Sequence, residues 1–155
     1  MANARARIRI PEEEQRALLA SARTLQVATS GRDGQPHLVP MWFAVDSEGL
    51  IVFTTYGSSQ KVRNLRRDPR ITVLVEDGTS YEELRGVAIE GEAELIADPE
   101  RTREVMRLVG QKYGGRTGQA GRSADARQRA FEKRVVVRVH PRRVRSWDHR
   151  RLAGA

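Results

Sequence analysis

Residues 50–75 run LIVFTTYGSSQKVRNLRRDPRITVLV. An apolar stretch from Leu50 to Phe53 precedes a polar segment, and a second apolar stretch runs from Ile71 to Val75. Both are rich in β-branched residues and fit strands. Between them, Ser58 or Ser59 suits the cap of a short helix whose Val62 and Leu65 face inward, and Pro69 ends it because proline cannot continue helical hydrogen bonding. From Gly57 to Arg70 the connection carries five positive charges and one negative. A helix start presents unpaired N–H groups and a partial positive charge. Serines followed by Lys61 therefore make a phosphate cradle. The same residues serve equally as a plain cap, with Lys61, Arg63, Arg66 and Arg67 forming a solvated face.

Outward from this element the pattern stays mostly β. Upstream, IPEEEQRALLASAR predicts a helix with Pro11 near its first position, three glutamates at the positive end of its dipole, and Leu18, Leu19 and Ala22 as the apolar stripe. TLQVATSGRDGQPHLVPMWFAVD predicts a hairpin turning at Asp33-Gly34. Leu25, Val27 and Thr29 share one face; His37, Val39, Met41, Phe43 and Val45 share one on the partner. Pro40 cannot donate to a ladder, which implies a bulge or a sheet edge. Downstream, LRGVAIEGEAELI alternates cleanly, with Glu90, Glu92 and Glu94 on the solvated side. Asp98 and Pro99 open a long helix that Gly114 stops. A flexible loop over about 114–125 and a short helix through Phe131 lead to RVVVRVH and a last extended piece, RVRSWD. Six or seven mostly antiparallel strands with a few peripheral helices favour a small closed or nearly closed barrel.

Composition limits the function classes. The 155 residues, 39% hydrophobic and 31% charged, suit one domain, with a basic tail over about 1–9. No stretch has the apolar length of a membrane span and MANARARIRI lacks the apolar core of a secretory signal, so a cytoplasmic location and no membrane partner are expected. Zero cysteines remove thiolate chemistry, and the three histidines, His37, His140 and His149, have no metal-site spacing. A net charge of +8 suits an anionic partner. An arginine-rich compositional bias accounts for it equally. No aromatics are interleaved among the arginines to stack on bases, which argues against nucleic acid.

The segment from Leu25 to Asp77 resembles the split-barrel flavin and deazaflavin oxidoreductases, the superfamily of pyridoxamine phosphate oxidase, and the likeness extends from about Leu18 to Trp147. Its most specific part is the strand-to-helix phosphate element, roughly Phe-Tyr-Thr-Asn-x-x-Ser-Arg-Lys in the flavin oxidases, which falls without a gap on Phe53 to Lys61. Thr55, Ser59 and Lys61 match; Gln60 stands in place of an arginine. GSSQK followed by RNLRRDPR, together with YEELRGVAIEGEAEL and VRSWDHR, is similar to the actinobacterial branch that uses the deazaflavin coenzyme factor 420. The oxidases' Arg-Leu-His-Asp-Arg substrate motif is absent.

The resemblance implies a split β-barrel of FMN-binding type and a phosphorylated cofactor, factor 420 in preference to FMN. It further implies a homodimer with the cofactor at the subunit interface, and hydride transfer to a small unsaturated, quinone-like or tetrapyrrole acceptor. His37, Val39, Pro40, Met41 and Trp42 would line the ring site, and Thr54 and Thr55 would lie near the ribityl chain and phosphate. Ser59, Gln60 and Lys61 would hold the phosphate, with Arg63 and Arg66 toward an anionic tail. No catalytic side chain is expected, because the cofactor carries the chemistry. An FMN-dependent oxidoreductase and a non-catalytic cofactor carrier are the alternatives.

Overall fold

The computed structural model describes residues 4–115 and 121–152. Its chain order is α1 (Ala4–Arg7), α2 (Glu12–Ser21), β1 (Leu25–Ser30), β2 (Pro36–Met41), β3 (Ala44–Val45), β4 (Ile51–Tyr56), α3 (Gln60–Arg67), β5 (Arg70–Asp77), β6 (Arg85–Ile96), α4 (Pro99–Lys112), α5 (Ala124–Glu132) and β7 (Arg134–Asp148). The strands form one antiparallel sheet in the order β2-β1-β5-β6-β7-β4-β3. Its two outermost strands, β2 and β3, are joined only by Trp42 and Phe43, a link of at most about 11 Å. The sheet must therefore curl until its edges approach, the nearly closed barrel expected from the alternation and the split barrel that the resemblance implies.

Alternation decides what lies inside. Leu25, Val27, Phe43, Phe53, Val73, Val87 and Val137 fill the interior, and Leu65 of α3 closes one end. A smaller cluster on the outer face, Ala44, Val52, Val105 and Val136, seats α4 across β4 and β7. α4 starts where Asp98 Oδ1 accepts from the Glu100 N–H at 2.9 Å, and its chain reverses at Gly114, whose φ of 66° an L-residue rarely adopts.

Several boundaries differ from the sequence expectation. The strand predicted through Val45 breaks at Trp42–Phe43, so Pro40 sits on an edge strand rather than at a bulge. The pieces RVVVRVH and RVRSWD are one strand, β7. Its pairing with β6 shifts between Glu90 and Gly91, opposite Pro141, which has no N–H to give. Only glycine fits there, since a Cβ on Gly91 would lie 2.2 Å from the His140 carbonyl oxygen. Of the basic N-terminal segment, residues 4–7 form a helical turn. The chain that follows is strapped to β7, with the Asp148 N–H donating to the Ile8 carbonyl at 2.7 Å and the Ile10 N–H to Ser146 Oγ at 3.1 Å. Residues 116–120 of the expected flexible loop lie outside the described residues, and α5 already begins at Ala124.

Candidate functional site

β4 delivers Thr55, buried on the inner face, to the turn Tyr56–Ser59 that starts α3. Ser59 occupies the cap position, but its side chain caps nothing. Its hydroxyl accepts from Thr55 Oγ1 at 3.4 Å, and Thr55 Oγ1 accepts from Lys61 Nζ at 3.1 Å. The expectation of a serine side-chain cap is thus corrected: the hydroxyl is turned into a threonine–serine–lysine cluster. The first N–H groups of α3, at Gln60 and Lys61, precede any acceptor within the helix. Burial holds the Lys61 ammonium below its ordinary range, and no carboxylate of the described residues pairs with it. Donors, a helix start and an unneutralised cation converge here, an arrangement whose chemistry suits an anion.

A polar path leads from this cluster along the inner face to the edge strand. Gln60 Nε2 donates to Asn64 Oδ1 at 2.9 Å, and the fully buried Asn64 donates through Nδ2 to Thr29 Oγ1 at 3.0 Å. Thr29 lies opposite His37 in the β1–β2 ladder, as Val27 lies opposite Val39 and Leu25 opposite Met41. His37 Nδ1 is buried with no partner among the described residues. Asn64 and Thr29 carry no local motif that would single them out.

Thr54 and Thr55 are neighbours in β4 whose side chains point to opposite faces, so only Thr55 joins the cluster. Thr54 lines a cavity of about 200 Å3 with Met41, Trp42, Met106, Val109 and Arg134. Trp42 is 47% exposed and stacks on Tyr113, with ring centroids 4.3 Å apart and an interplanar angle of 9°. Tyr113 is fixed in turn: its hydroxyl donates to the Arg23 carbonyl at 2.8 Å, and the Arg23 guanidinium lies 4.7 Å from its ring centroid. Beside it, burial and the Arg23 charge bring the Lys112 ammonium down to about 8, although its seat 3.4 Å over the Phe43 ring favours the charged form.

The remaining candidates are more peripheral. Pro40 lies opposite Gln26 in the ladder and is exposed. Arg66 donates to the Gly57 carbonyl at 3.1 Å and tightens the turn, and Arg63 is exposed on the outer side of α3. Arg134, which no motif marked, lies over the Tyr56 ring at 4.4 Å and has its Nε buried without a partner.

The curled antiparallel sheet, with α3 following the strand-to-helix turn after β4, is of the split-barrel class. A family model described as pyridoxamine 5'-phosphate oxidase matches residues 11–148, and the chain belongs to that family. It is 30% identical over 127 residues to the 5a,11a-dehydrotetracycline/5a,11a-dehydrooxytetracycline reductase of Streptomyces rimosus, covering 79% of this chain and 72% of that protein. Among solved structures, a conserved hypothetical protein of Mycobacterium tuberculosis matches with a TM-score of 0.85 and 43% identity, over 99% of this chain and 94% of that one. A structure described as an F420 reductase matches at 0.68 and 28% identity, over 87% and 98% respectively. By family the protein is an oxidoreductase. No described helix is long and apolar enough to cross a membrane.

Proposed function

We propose that this protein is a reductase that binds the phosphorylated deazaflavin factor 420 and passes hydride to a small unsaturated, quinone-like or tetrapyrrole acceptor. The observation that carries this reading is the half-buried Lys61, bonded to Thr55 beside Ser59 at the start of α3. The residues fit the group: Lys61, Thr55, Ser59 and the N-terminal amides of α3 would hold the phosphate, and the unpartnered His37 Nδ1 offers a further polar contact on β2. When bound, the reduced cofactor supplies hydride, which is chemistry that no side chain here provides. Met41, Trp42 and Thr54, expected beside the cofactor, line one cavity with Met106 and Val109, which would seat the acceptor against the cofactor ring and exclude water. Preference for the deazaflavin over FMN rests on the reductase likenesses and on Gln60 replacing the oxidases' arginine.

A homodimer is part of the same reading. Leu38 on the edge strand is 63% exposed, Trp42 47% and Tyr56 45%, and all three are large apolar surfaces near the candidate site that a second subunit would cover. Equilibrium dialysis against factor 420 and FMN tests the cofactor, and light scattering of the complex tests the assembly. Micromolar or tighter retention of factor 420, weaker retention of FMN and a mass twice 17.5 kDa are expected. Retention of neither cofactor overturns the reading. Tighter FMN binding with oxygen-dependent turnover points to an FMN oxidoreductase instead, and binding without turnover of any acceptor points to a carrier.

A further inference from the structure

We propose that Arg134 binds the carbonyl oxygen of the acceptor and stabilises the negative charge that hydride addition places on it. This assigns the acceptor to α,β-unsaturated ketones and quinone-like compounds. The inference rests on the reductase reading above and adds to it a residue and a ligand chemistry.

Three observations converge on Arg134. It lines the cavity shared by Met41, Trp42, Thr54, Met106 and Val109, where it is the one charged residue among the lining side chains. Its side chain donates no hydrogen bond to the described residues, and its Nε is buried. Its guanidinium lies over the Tyr56 ring at 4.4 Å, a stack that restrains the plane of the fork. A buried donor without an acceptor costs stability, and its usual compensation is an oxygen supplied from elsewhere. Met41, Trp42, Met106 and Val109 give the cavity apolar surface beside the polar Thr54 and Arg134, which suits a ligand of carbon surface with an oxygen turned to the guanidinium. The volume of about 200 Å3 is below that of a drug-sized site. It therefore seats one ring of the acceptor and leaves the rest outside.

The chemistry balances with these parts. A bound reduced cofactor would supply the hydride, which goes to the β-carbon of the acceptor. The alkene π pair moves to form a new double bond to the carbonyl carbon, and the carbonyl π pair moves onto oxygen. The resulting enolate oxygen accepts from the Arg134 guanidinium, and water protonates the α-carbon. The acceptor gains two electrons and two protons overall, one proton arriving within the hydride. Donors aimed at such an oxygen typically contribute a factor of about 10² to 10³ in rate.

The test uses Arg134→Gln and Arg134→Lys in the full chain. With factor 420 and menadione as acceptor, R134Q is expected to lose about 100-fold in kcat while cofactor affinity stays within about twofold, and R134K is expected to recover at least tenfold of the loss. A second readout needs no cofactor: calorimetric titration with 4-nitrophenolate, a stable mimic of an enolate oxygen on a ring. Wild type and R134K are expected to bind it, and R134Q to bind at least tenfold more weakly. Equal phenolate affinity in wild type and R134Q, or no phenolate binding by wild type, overturns the proposal. So does a drop in cofactor affinity with kcat unchanged, which would assign Arg134 to the cofactor. Failure of wild type to retain either cofactor would sink the reductase reading alone, because the phenolate titration still decides the role of Arg134.

Discussion

Asp46→Ala is expected to destabilise the protein by about 3 kcal/mol, the lower end of the range for removing one partner of a buried ion pair. Asp46 closes the turn between β3 and β4. Its side chain is 2% exposed and accepts from the Glu48 and Leu50 N–H groups at 2.9 and 3.0 Å and from Arg138 Nε at 2.8 Å, with Arg101 at 3.6 Å. Alanine strands both amides and leaves Arg138 in a site that is itself only 13% exposed. The cost stays at the lower end because Glu48 still reaches Arg138 at 2.9 Å. For a chain of this size, about 3 kcal/mol lowers the midpoint of thermal unfolding by roughly 6 to 12 °C. Calorimetry checks it; a shift under about 2 °C would mean that the turn and Arg138 re-pair without the carboxylate. Asp46→Asn keeps one acceptor and should cost about half as much.

The same residue sets a pH dependence. Burial pushes the Asp46 carboxyl up, but the Leu50 amide, Arg138 and the Glu48 amide together outweigh it and hold the carboxyl below its ordinary value of 3.8. A folded pKa below the unfolded one means that the unfolded chain takes up the proton first as pH falls. The contribution of Asp46 is therefore complete above about pH 4 and disappears as pH falls through the lower folded value. Denaturant midpoints measured between pH 6 and pH 3 should show a shallower acid decline in Asp46→Asn than in wild type. The network also has a functional side. Arg101 belongs to α4, whose Met106 and Val109 line the candidate acceptor cavity, so a loosened Asp46 also loosens one wall of that cavity.

The strand–helix–strand core of the fold was legible because its signals are local: period-two alternation in β5 and β6, Val62 and Leu65 one turn apart, and Pro69 as a stop. What escaped depends on partners distant in sequence. The alternation from His37 to Val45 runs through Trp42 and Phe43 unbroken, and only the curling of the sheet decides that the chain changes edge there. The pieces RVVVRVH and RVRSWD read as separate, yet they are one strand, because β6 absorbs the irregularity at Pro141 where Gly91 lets the His140 backbone approach. Asn64 and Thr29 look ordinary in a helix and a strand, and become a buried polar pair only when α3 docks on β1. The candidate site divides in the same way. The cluster at Thr55, Ser59 and Lys61 was readable from one contiguous segment. Arg134 enters the cavity from β7, and Tyr113 at the end of α4 stacks on the cavity's Trp42, with no motif to announce either role.

Lys61→Ala is expected to weaken binding of factor 420 by about 1 to 3 kcal/mol, the loss of a charge-assisted hydrogen bond to a phosphate oxygen. The opposing possibility is that Lys61 merely belongs to the solvated face of α3, and two features argue against it. The ammonium is turned back onto Thr55 Oγ1 at 3.1 Å rather than outward like Arg63, and burial already disfavours its charge. Keeping a cation in such a place costs the free protein stability, and a bound anion relieves that cost. The variant should therefore bind cofactor more weakly while the cofactor-free protein is no less stable than wild type. That combination separates an anion-binding lysine from a structural one. Lys61→Arg tests geometry at constant charge: the guanidinium is wider than the ammonium, and it should recover only part of the affinity beside Thr55 and Ser59. Equilibrium dialysis at two salt concentrations completes the test. The difference between wild type and Lys61→Ala should shrink as salt rises, since screening weakens the contact that only wild type makes. Unchanged affinity in Lys61→Ala would return Lys61 to the solvated face and leave Thr55, Ser59 and the amides of α3 as the phosphate's only holders.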